Sequence, residues 1–150
     1  KYETYQPYLS ALSEYVKKYT PEAKQLMHQT WAYEEGGIRL TQELGYKTQK
    51  DMFSDIESAY KKAAEDINAD IIPCGETFQN LIKYGKKVHR DGFHANLGYG
   101  RYALALTWYE MLTGNNPENN TFRDFDVPVS EEEAECAKKS AHEAVLKYRK

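Results

Sequence analysis

No apolar run in this chain approaches the roughly eighteen residues that a membrane-spanning helix needs, and its opening residues carry no signal-peptide pattern. Positive charge is not in excess either. Twenty Lys and Arg stand against 23 Asp and Glu, a formal net charge of −3, so the footprint expected of a nucleic-acid-binding surface is missing. Cysteine is nearly absent: Cys74 and Cys136 lie far apart, with neither metal nor redox spacing, and two buried thiols are expected rather than a bridge. There is no internal repeat and no low-complexity tract. These absences leave one domain over residues 1–150, long enough for a core of ordinary size. Tyrosine is plentiful, 13 of 150. That is compatible with a sugar- or aryl-facing surface, but amphipathic packing is the reading taken.

The apolar pattern predicts helices joined by short extended segments. Pro7 suits a helix start, Leu9, Leu12, Val16 and Tyr19 recur at helical spacing, and Thr20-Pro21 ends that helix. Gln25 to Tyr33 reads as a buried strand, broken by Glu34-Glu35-Gly36-Gly37, and a loop runs on to about Gln49. A second helix starts with Asp51 as N-cap and carries Phe53, Ile56, Tyr60, Ala63, Ala64 and Ile67 on one stripe. Asp70-Ile71-Ile72 is a brief strand that Pro73 ends, and Glu76 to Tyr84 is a short helix. In the next helix Leu97, Leu104, Trp108, Met111 and Leu112 are expected inward, with Gly114 just past its end. Beyond a polar turn at 115–120, Phe122, Phe125 and Val127 form an extended strip. Ser130 and Glu133 then make a capping box for a last helix with Ala134, Ala137, Ala141, Val145 and Tyr148 inward. The triplet Asn119-Asn120-Thr121 fits a glycosylation sequon and is given no weight.

The organising stretch is Val88 to Gly114. It sets Asp91 and His94 three residues apart in a Gly-containing turn and follows them with a nearly unbroken apolar helix. At that spacing a carboxylate can hold the imidazole Nδ1–H and leave Nε2 free to take a proton from a nucleophile. Trp31, Tyr33 and Glu34 fall at a strand's C-terminal end, where open α/β sheets place ligands, and are the candidate substrate-binding residues. For Trp31, core packing is an equal alternative. His89, Asp91 and His94 also read as His-x-Asp-x-x-His, which matches no common zinc pattern, so neither a metal nor another cofactor is expected. His28 reads as a hydrogen-bonded core histidine.

Asp91-Gly92-Phe93-His94, followed by Ala95-Asn96 and the helix of Gly98 and Gly100, resembles the last block of SGNH (GDSL-type) hydrolases, which carries an Asp-x-x-His pair. MHQTWAYEE from Met27 and DIIPCGETFQNLIK from Asp70 resemble an SGNH-like family of Bacteroidetes-type proteins of unknown function. The likeness covers roughly the first three quarters of the chain. It implies a three-layer αβα, flavodoxin-like α/β fold, of which this chain holds a helix-rich part with about two parallel strands. Residues 1–114 would be the SGNH-like core and 115–150 an extension with the last helix. The family's nucleophilic Ser sits in a Gly-Asp-Ser turn. Here Ser10, Ser13, Ser54, Ser58, Ser130 and Ser140 all fall on helices or their caps, and Gly75 and Asn80 do not make a Gly-x-Asn-Asp block.

The chain, which begins at Lys1 without Met, is therefore read as the C-terminal part of a longer hydrolase. Through the resemblance, Asp91 and His94 become two members of a Ser-His-Asp triad, the substrate a small-molecule or carbohydrate ester, and the setting periplasmic or secreted. The isolated chain is expected to be inactive. A second copy, or the missing N-terminal segment, is expected to cover the edge of a sheet too small to stand alone. The rival reading is a non-catalytic, α-rich binding module in which Asp91 and His94 are structural. Contact between the two side chains is the observation that an enzyme requires.

Overall fold

The computed structural model describes residues 1–149. In order it holds α1 (Tyr8–Tyr19), β1 (Leu26–His28), α2 (Gln49–Ile67), β2 (Asp70–Ile72), α3 (Cys74–Lys83), α4 (Tyr99–Thr113) and α5 (Glu131–Tyr148). Short 3-10 turns lie at Tyr2–Thr4 and Pro117–Asn119. β1 and β2 pair in parallel with Leu26 opposite Asp70 and His28 opposite Ile72, so the chain is α/β, helix-rich, with two parallel strands. The α2 helix is the crossover between them and packs on both, as a parallel pair requires. Among the described residues no helix is long and apolar enough to cross a membrane.

α3, α4 and α5 pack on one another and enclose the larger core, built on Phe78, Leu81, Val88, Tyr99, Tyr102 and Leu106. Ala103 on α4 and Ala134, Ala137 and Ala141 on α5 are fully buried there, and such small side chains let helices approach closely. A smaller core of Ala32, Leu40, Met52 and Phe53 lies under α2.

Local signals place several helix ends. Ser130 caps α5 and Glu133 reciprocates, and Gly114 ends α4 in the left-handed region. The cap of α2 is Thr48 rather than Asp51. Asp51 sits three residues in and its carboxylate accepts from the Thr48 backbone N–H, because a capping box needs the acidic group there. The loop before α2 contains a turn of π-helix, Arg39–Glu43, that buries Leu40.

Three expectations are corrected. The strand expected over 25–33 is three residues long, since after Gln29 N donates to Ile72 O the chain leaves the sheet. Gln29 is fully buried instead: its Oε1 accepts from Glu76 N and its Nε2 donates to the Tyr148 hydroxyl. On α4 the buried face is Tyr99, Tyr102, Ala103, Leu106, Thr107 and Glu110, while Trp108 and Leu112 are exposed, as is Leu97, which lies before the helix starts. This helix is apolar on nearly every side, so its periodicity does not select a face; the alanines of α5 do. On α1, Leu12 and Tyr19 face outward and Ser13 is buried. The cysteines are both free, Cys74 buried and its thiol pushed up to about 12 by that burial, Cys136 half-buried.

Candidate functional site

The segment 88–96 folds back on itself. Asn96 N donates to Val88 O (2.7 Å) and Arg90 N to His94 O (3.0 Å), with His89 opposite Ala95, so residues 91–93 form the tip. Gly92 takes φ +89°, a conformation other residues adopt only under strain, and its carbonyl accepts from Glu34 N at 2.7 Å. The tip is thereby tied to the loop leaving β1.

At the tip His94 Nδ1–H donates to Asp91 Oδ2 at 2.8 Å, and Asp91 Oδ1 accepts from the backbone N–H of His94 at 2.9 Å. A carboxylate only accepts, so the proton of this bond sits on Nδ1. Nε2 has no hydrogen-bond partner among the described residues, and the His94 side chain is 51 % exposed. Arg90 Nε lies 3.4 Å from Asp91 Oδ2. The bonds from His94, side chain first and then backbone, hold the Asp91 carboxyl well below the usual carboxylate range. Because its folded value is depressed, its contribution to stability is present above the unfolded pKa of about 3.9 and is lost as pH falls through the folded value. A carbon-detected NMR titration should show the Asp91 carboxyl still ionised at about pH 3.9. An ordinary midpoint there would remove the bond to His94 from the folded state.

The three candidate binding residues gather at this turn. Trp31 Nε1 donates to the Phe93 carbonyl (2.8 Å) and its ring packs on Phe78 at 4.8 Å, so it serves packing and the turn together. Tyr33 meets the Phe93 ring edge-on, with centroids 5.8 Å apart. Glu34 supplies the backbone bond to Gly92 and pairs with Lys87 at 3.2 Å. On the outer side of Trp31 and Tyr33 lies a concavity of about 220 Å³ that Tyr5, Met52, Asp55 and Tyr60 help to line. A second, of about 480 Å³, runs along the base of the turn past Glu35, Gln49 and Lys87.

His89 is not brought to Asp91 and His94. It is buried, its Nε2–H donates to the Ala32 carbonyl at 2.8 Å, and burial lowers its pKa. No cluster of three metal-ligating side chains forms among the described residues. His28 sits at the exposed end of β1 rather than in the core, where its Nδ1 accepts from Trp108 Nε1 at 2.8 Å. Sequence reasoning missed Arg39. Its guanidinium lies over the Phe93 ring at 3.7 Å, and Phe93 in turn stacks on His94 at 3.8 Å. Nothing local in the sequence announces a partner so distant along the chain.

Residues 1–144 match the domain of unknown function DUF4886. The chain belongs to this family. A crystal structure of a DUF4886 family protein from Bacteroides uniformis superimposes with a TM-score of 0.85 at 32 % sequence identity, over 97 % of this chain and 57 % of that one. The chain thus spans somewhat over half the length of that DUF4886 relative. No curated protein matches it.

Proposed function

We propose that this DUF4886 domain carries two members of a Ser-His-Asp triad in an SGNH-type hydrolase acting on small-molecule or carbohydrate esters. The supporting observation is the 2.8 Å bond from His94 Nδ1–H to Asp91 Oδ2, which leaves Nε2 as the uncommitted end of the ring. In this reading the Ser comes from sequence N-terminal to Lys1, and the finer architecture is the three-layer αβα fold. The two strands seen are then part of a larger parallel sheet, in a periplasmic or secreted protein. His94 removes the Ser proton as that oxygen attacks the ester carbonyl, Asp91 stabilises the imidazolium, and His94 returns the proton to the departing alcohol. Water then hydrolyses the acyl-enzyme by the same path in reverse. Trp31, Tyr33 and Glu34 form the wall against which the ester lies.

The alternative is a non-catalytic binding module. It draws on the second role of Asp91, whose Oδ1 accepts backbone N–H groups as a turn-forming residue does. Labelling with a fluorophosphonate separates the two. The longer protein should gain one adduct on a Ser outside residues 1–150, and the 150-residue chain none. Absence of label on the longer protein, or a label within 1–150, overturns the triad.

A further inference from the structure

At the far end of α4 from the Asp91–His94 turn, a concavity of about 420 Å³ is lined by Tyr109, Asn115, Asn116, Asn119, Asn120 and Thr121. None of these six side chains is charged, and every one carries a hydrogen-bonding group. We infer that this is a binding site for a neutral polyhydroxylated ligand, a saccharide, separate from the candidate triad.

The loop is built to present these groups. Pro117 is fully buried and anchors the 3-10 turn against α5. Asn116 is committed to that turn: its Oδ1 accepts from Glu118 N at 2.8 Å and its Nδ2 donates to the Glu118 carboxylate. Asn120 is pinned through Oδ1, which accepts from the Tyr102 hydroxyl (3.1 Å) and from Phe122 N (2.9 Å). Its amide N–H₂ therefore remains as a donor of fixed direction. The side chains of Asn115, Asn119 and Thr121 and the Tyr109 hydroxyl line the concavity and make no such structural bonds to other side chains among the described residues. Tyr109 is 37 % exposed and lines the concavity. Amides that donate and accept in one plane match vicinal hydroxyls. A loop already held by Pro117 loses little freedom on binding, which favours affinity. The Glu118 carboxylate, held by Asn116 Nδ2 at 3.2 Å, disfavours an anionic ligand.

The test is an amide-detected NMR titration of the 150-residue chain with maltotriose and N,N′-diacetylchitobiose, with trigalacturonate as charged comparison. At least one neutral sugar should shift the side-chain amides of Asn115, Asn119 and Asn120. Tyr109→Ala and, independently, Asn119→Asp should each weaken binding by about tenfold, roughly 1.4 kcal/mol. His94→Ala should leave these shifts in place, so the result stands apart from the fate of the triad. The proposal is overturned if neither neutral sugar moves these amides, if trigalacturonate binds better, or if both variants bind as the parent does.

Discussion

Gly75→Ala is expected to destabilise the chain by about 3 kcal/mol and lower Tm by about 6–12 °C. A Cβ at Gly75 would lie 2.3 Å from the Thr30 carbonyl oxygen, 2.9 Å from Phe53 Cε2 and 3.0 Å from Gln29 Oε1. The first contact is with backbone, which cannot swing aside. Gln29, just before Thr30, is held twice, by its own N–H to Ile72 O and by its buried side chain between Glu76 N and the Tyr148 hydroxyl. Relief requires the first turn of α3 to lift away from the loop leaving β1. That loop carries Trp31 and Glu34, which tie down the Asp91–His94 turn. Heat denaturation followed by circular dichroism measures the effect, and a Tm within about 2 °C of the parent would mean that α3 is not held as described.

The same junction shows why part of this fold was legible in the sequence and part was not. The capping box at Ser130 and the glycine end of α4 are written in a few consecutive residues and the pattern alone places them, whereas at α2 it picks out Asp51 and misses the cap three residues earlier at Thr48. β1 is different. Gln25 to Tyr33 is apolar and aromatic enough for a long strand, yet the partner of Trp31 is a carbonyl on a distant turn, not a neighbouring strand. No local rule reports such a contact. For α4 the failure lies in degeneracy: with Leu, Trp and Tyr on all sides, the buried face follows from the small residues of the facing helix. Within the site, Asp91 and His94 were legible because their partnership spans three residues. Trp31, Tyr33 and Glu34 were placed near it by the general position of ligands at strand ends, although the strand itself stops earlier. Arg39, brought onto Phe93 by a π-helical turn, had no signal at all.

On the proposed triad, His94→Ala in a longer protein that supplies the Ser is expected to lower kcat on a 4-nitrophenyl ester by about 10⁴-fold or more, close to 5 kcal/mol of transition-state stabilisation. KM should change little, because in the proposed reaction the imidazole acts on the proton in flight rather than on the resting ester. Asp91→Asn is the more discriminating substitution. An asparagine Oδ1 can still accept the backbone N–H groups of Phe93 and His94, so the turn keeps its shape. Its Nδ2, however, would face His94 Nδ1 with a donor where the carboxylate was an acceptor. The ring then carries its proton on Nε2 and has nothing with which to accept one from Ser, so a loss of about 10⁴-fold is expected without loss of fold. The double variant should be no slower than His94→Ala alone, since the two groups act as one unit. If Asp91 serves only the turn, Asp91→Asn will instead leave kcat untouched while Asp91→Ala lowers Tm. That outcome would assign both residues to architecture and leave the domain as a binding module.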